Sequence, residues 1–126
     1  MNKTLRNFFA TLISATVFFV GSNACYADFS PVVNYSVGSN PRAVFAVDLD
    51  KDGDSDLATA NYSSNSVSIL VNNGDGTFAT AVNYAVGNRP ATVFAADLDG
   101  DGDNDLAVAN YYSDNVSVLL NNGDGT

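Results

Sequence analysis

From Phe29 onward the sequence is one unit written twice. Residues 29–77 align with 78–126 at a constant offset of 49, without a gap, and 32 of the 49 positions are identical. VNYSVG at 33–38 matches VNYAVG at 82–87. VFAVDLDKDGDSDLATANY at 44–62 matches VFAADLDGDGDNDLAVANY at 93–111, and NNGDGT ends both units. A period of this length lies in the range of propeller blades and related arrays. A unit this small cannot bury its own apolar surface, so neighbours must stack.

Within the unit the periodicity is that of strands. Ala43 to Val47 is a continuous apolar run, which suits a strand buried on both faces. A second strand is expected from Asp56 to Tyr62. Ser66 to Val71 alternates, with Val67, Ile69 and Val71 on one face. Thr77 to Tyr84 alternates again, and 29–37 repeats that pattern ahead of the first full blade. The chain has no Glu but many Gly, Asn and Asp, which favours turns over helices. The Asn-Gly-Asp-Gly sequences are hairpin signals, because Asn and Gly accept positive φ at low cost. The expected fold is all-β, with two four-stranded propeller-type blades at about 43–86 and 92–126. The second blade lacks its last strand.

The aspartates are concentrated where a cation would need them. Ten of the 14 acidic residues lie in two nine-residue loops, Asp48 to Asp56 and Asp97 to Asp105. Five carboxylates this close repel one another, and a hard divalent cation that takes oxygen ligands removes that cost. Gly53 and Gly102, at the sixth position, allow the sharp turn such a loop needs. By analogy with other calcium loops, Asp48, Asp50, Asp52 and Asp56 are expected to ligate through side chains and Asp54 through its carbonyl. Asp97, Asp99, Asp101 and Asp105 repeat those roles, with Asp103 as the carbonyl donor. Two calcium sites follow. Magnesium is disfavoured because it keeps several waters and suits fewer protein ligands. An EF-hand would need a Glu at the twelfth position and flanking helices. Thr59 and Val108 stand there instead, between expected strands.

Composition removes other functions. The chain has no His, so it holds no Ser-His-Asp or Cys-His set and no His-ligated zinc. Beyond residue 27 the basic residues are Arg42, Lys51 and Arg89, too few for a nucleic-acid surface. The carboxylates follow a metal-loop pattern rather than that of an acid–base pair. No catalytic residue is expected.

The loops DLDKDGDSD and DLDGDGDNDLAVAN, with NNGDGTF at 72–78, resemble the FG-GAP or VCBS repeat family. These are the calcium-loop β-propeller blades also found in integrin α-chain head domains. The resemblance covers 29–126. It implies a calcium loop between the first two strands of each blade. It also implies a secreted or cell-surface module for adhesion or for recognition of a protein or glycan, with calcium structural. The alternative is the non-catalytic propeller portion of a larger extracellular enzyme, such as a polysaccharide hydrolase or lyase. The resemblance also implies a propeller of about seven blades, within the usual range of closed propellers. Two units therefore lead to the expectation of a portion of a larger propeller.

Residues 1–27 read as a signal peptide. Lys3 and Arg6 precede the apolar run Phe8 to Val20, too short to span a bilayer, and Ala27 offers a cleavage site. Residues 28–126 would then be extracytoplasmic, free of Cys, without a transmembrane span, and strongly acidic. Open blade edges suggest self-association, with 29–37 adding to the strand at 116–121 of another copy. Tyr62, Tyr111 and Tyr112 are expected to pack between blades, and Asn61 and Asn110 to cap turns.

Overall fold

The structure, a computed structural model, describes residue 29 and residues 31–125. The expected signal peptide lies outside the described residues. Phe29, Pro31 and Val32 belong to a unit spanning 1–32, and the strands all lie in the unit from Val33 onward.

Four strands form the first antiparallel sheet in sequential order: β1 (Pro41–Val47), β2 (Asp56–Asn61), β3 (Ser66–Leu70) and β4 (Val82–Ala85). Three form the second: β5 (Pro90–Ala96), β6 (Asp105–Asn110) and β7 (Asn115–Leu119). These sheets are blade 1 and blade 2. No described residue is helical. Pro41 and Pro90 open the inner strands, where a missing N–H is tolerated, and the register shifts directly after each.

The cross-strand register repeats with the sequence. Phe45, Ala58, Ile69 and Val82 form one row across blade 1, and Phe94, Ala107 and Val118 form the matching row in blade 2. Because side chains alternate along a strand, each blade has two faces. One face of blade 1 carries Phe45, Ala58, Ala60, Val67 and Ile69. It packs on the opposite face of blade 2, which carries Val93, Ala95, Leu106 and Val108, and the two make one core. The rings of Phe45 and Phe94 meet at a centroid distance of 5.2 Å. Leu49, from the first aspartate loop, drops into the same core.

Three strand expectations are corrected. β1 is not buried on both faces: Val44 points away from blade 2 and is exposed, with no blade among the described residues covering it. The expected strand at 77–84 is interrupted. Phe78 makes a single bridge to Asn72 and donates its N–H to Tyr35 Oη at 3.2 Å, and β4 begins only at Val82. Of the strand expected at 29–37, residues 33–37 form none. A strand needs a ladder partner; β4 already occupies the outer edge of β3, and the free edge of β7 belongs to blade 2.

The turn at 73–77 follows its sequence signal. Asn73 N–H donates to the Thr77 carbonyl, and Gly74 and Gly76 take positive φ. Asp75 accepts bonds from the Thr77 hydroxyl and amide, which hold its carboxyl below the ordinary range.

Candidate metal centre

Both aspartate loops connect the first two strands of a blade, and both are held by backbone N–H donors. In loop 1, Asp48 Oδ2 accepts from Gly53 N–H at 3.1 Å, Asp50 Oδ1 from Asp52 at 3.2 Å and Asp52 Oδ1 from Asp54 at 2.8 Å. In loop 2, Asp97 accepts from Gly100 at 2.7 Å and Gly102 at 3.0 Å; Asp99 accepts from Asp101 and Asp101 from Asp103. Side chains that tie their own loop's amides turn inward together. The carboxylates of Asp48, Asp50 and Asp52 each place an oxygen within 4.8 Å of the others, and so do those of Asp97, Asp99 and Asp105. Asp48 Oδ1 is buried and has no hydrogen-bond partner among the described residues. A cation taking oxygen ligands fits this donor set.

Asp56 and Asp105 also have a second use. Each is buried at the start of a strand, where each carboxylate oxygen accepts one backbone N–H. Asp56 takes Leu49 and Asn72, and Asp105 takes Leu98 and Asn121, all at 2.8 Å. Each carboxylate therefore pins the aspartate loop to the turn after the third strand. Asp56 is not in the loop 1 triplet, whereas Asp105 is in that of loop 2. Asp54 and Asp103 turn towards the glycine turns instead, as their short distances to Gly74 and Gly123 show. A Cβ at Gly123 would stand 2.8 Å from Asp103 Oδ2, so the turn must carry glycine there.

The electrostatics follow the crowding. Burial, then Asp56, Asp52 and Asp48, raise the Asp50 carboxyl above its ordinary value against the pull of the Asp52 amide. At Asp99 the Asp101 amide is the largest influence and lowers it. Burial and the charges of Asp101 and Asp105 together outweigh that, and the net direction is upward. Asp105 moves down, held by the amides of Asn121 and Leu98.

Sequence reasoning missed how the loops join. Lys51 extends from loop 1 to form an ion pair with Asp103 in loop 2, and this raises the lysine. Lys51 sits at φ 62°, in the left-handed region, where loop 2 carries Gly100. Asn104 Nδ2 donates to the Asp48 carbonyl at 3.1 Å, and Asn121 Nδ2 to the Leu49 carbonyl at 2.6 Å. The signal for Asn121 was its repeat at Asn72, which looked like a turn residue alone.

The opposite ends of the strands carry different chemistry. Arg42 lies 4.0 Å over the Tyr62 ring, and Arg89 lies 5.5 Å from Tyr62 and 4.7 Å from Tyr112. Tyr111 and Tyr112 are exposed and not packed between blades, which corrects the expectation. Asn61 and Asn110 are buried at the ends of β2 and β6. Asn61 Nδ2 donates across the hairpin to Ser66 and Ser68, and Asn110 Nδ2 to Asn115 and Ser117. They brace the hairpin stems rather than cap the turns.

A model of the FG-GAP-like repeat matches residues 48–108. No curated protein and no solved structure matches the chain. The matched segment starts at the first aspartate of loop 1, runs through blade 1 and takes in all of loop 2. Two successive blades that each carry this loop between their first strands agree with that match, and residues 48–108 are FG-GAP-like repeat sequence.

Proposed function

We propose that this chain is a calcium-binding repeat module of an extracytoplasmic protein, serving recognition of a protein or glycan rather than catalysis. The observation that carries the calcium reading is the pair of carboxylate triplets, each gathered within 4.8 Å, in the same loop of successive repeats. Asp48, Asp50 and Asp52, and Asp97, Asp99 and Asp105, would hold the ions, with the remaining loop aspartates as further candidate donors. Bound calcium offsets the mutual repulsion of these carboxylates and ties the first strand of each blade to the second. Its role is structural. The surface formed by half-buried Tyr62 with exposed Arg89 and Tyr112 at the other end suits a ligand that stacks on rings and pairs with a guanidinium.

Calorimetric titration of the chain with calcium tests the reading. Two ions should bind with a Kd of about 10⁻⁴–10⁻³ M, typical of extracellular modules. An Asp50→Ala/Asp99→Ala double variant should lose both. Identical titrations for the two proteins would remove the proposed ligands from the site.

A further inference from the structure

We infer that copies of this chain stack head to tail: the open face of blade 2 in one copy takes the open face of blade 1 in the next. Residues 33–36 of the second copy add to β7 as its fourth strand. The chain supplies its own template for this contact. Val67 and Ile69 in blade 1 are 0% and 4% exposed because blade 2 covers them. Their counterparts one repeat later, Val116 and Val118, are 62% and 54% exposed, alongside exposed Phe94 and Leu120. The complementary face repeats the asymmetry. Val93 is 6% exposed against blade 1, while its counterpart Val44 is 64% exposed. Each copy thus presents both halves of the inter-blade contact it has already made once internally.

The strand edges agree with the faces. β4 pairs with β3 through Ser66–Ala85, Val67–Tyr84, Ser68–Asn83 and Ile69–Val82. Shifted by one repeat, this register joins Asn115, Val116, Ser117 and Val118 of one copy to Ser36, Tyr35, Asn34 and Val33 of the next. The side-chain bond from Ser68 Oγ to Asn83 Oδ1, 2.6 Å, has its counterpart in Ser117 and Asn34. Among the described residues, the outer edge of β7 pairs with no strand. The donor segment is already held in place: Tyr35 Oη accepts from Phe78 N–H, and Gly38 N–H donates to Ser68 Oγ at 3.1 Å. Tyr35 lines a pocket with Leu70, as Tyr84 lines the inter-blade cavity with Leu119, the counterpart of Leu70. Leu98, exposed here, would be covered as Leu49 is, its carbonyl facing Asn72 of the next copy. The Lys51–Asp103 ion pair would not repeat, because Gly100 stands at the lysine position.

Such a contact joins two different surfaces, so it is heterologous and propagates into a ring or an open fibre. Light scattering and sedimentation of the full chain across a concentration series should show growth of oligomers beyond the dimer. Val44→Asp and Val116→Asp each spoil one surface at an exposed position. Each variant alone should remain monomeric, with an unchanged circular dichroism spectrum. Mixed in equal amounts they should form a dimer and nothing larger, since one intact pair of surfaces survives. A monomeric wild type, a variant that still assembles, or a mixture that stays monomeric would each overturn the proposal.

Discussion

Val67 and Val116 hold the same place in two blades that share most of their residues, the same register and the same hairpin. One is fully buried and the other is among the most exposed apolar side chains of the protein. Phe45 and Phe94, and Leu49 and Leu98, differ in the same direction. Blade 2 folds to the same ladder without the cover that blade 1 enjoys. Hairpin geometry and the bonds from Asp105 and Asn110 therefore specify the blade, while burial is conferred by the neighbour.

The largest expected effect isolates that cover. Val67→Ala removes two buried carbon groups and leaves a gap, which should destabilise the monomer by roughly 2–3 kcal/mol. Val116→Ala should change it by less than about 0.5 kcal/mol. Urea unfolding at a concentration below any self-association measures both. Equal losses would mean that blade 2 is covered in solution by a surface of its own chain.

An intermediate effect concerns the loops and changes sign with conditions. The Asp99 carboxyl is raised in the folded state. Such a group weakens the fold as pH rises through its folded value, so Asp99→Asn should raise the melting temperature at neutral pH in chelator. With saturating calcium the same variant should lower it, through loss of a ligand. Asp105 is depressed, so its contribution is present above the unfolded carboxyl value of about 3.9 and is lost as pH falls through the folded value. Asp105→Asn should flatten the acid limb of the stability profile in chelator. A variant at Asp99 that melts lower in both conditions would refute the view that burial and the charges of Asp101 and Asp105 make the ionised Asp99 a cost to the apo loop.

The repeat, the four-strand grouping and the placement of both loops were legible because they rest on local signals. Gly-rich turns, alternating valines and spaced aspartates act over a few residues. What could not be read depends on partners far along the chain. The run Ala43 to Val47 suggested two buried faces, but only the face of Ala43, Phe45 and Val47 has a blade against it. The segment 33–37 carries strand sequence, but among the described residues it pairs with no ladder. Asp56 and Asp105 looked like ligands alone, because nothing local showed that Asn72 and Asn121 would donate to them. Lys51 reads as an interruption of an acidic loop until the second loop lies beside it.

The smallest expected effect separates backbone from charge at that lysine. Lys51→Gly relieves a left-handed residue and should stabilise the loop by about 1 kcal/mol relative to Lys51→Ala. Lys51→Ala should melt slightly lower than the wild type in low salt, and added salt should shrink the difference. Melting curves of the three proteins at two salt concentrations decide the matter. Equal curves for the Gly and Ala variants would show that the turn carries no strain.

The alternation of connections puts both aspartate loops on one rim of the blades and the arginine–tyrosine row on the other. Every repeat of this sequence that stacks onto the array lengthens the acidic rim by five carboxylates. A long enough rim behaves as a polyelectrolyte, attracting an atmosphere of counterions much as a phosphate backbone does. Divalent cations would be enriched in that atmosphere above their bulk concentration. Loops of modest intrinsic affinity in the middle of an array would then fill at lower calcium than loops at its ends.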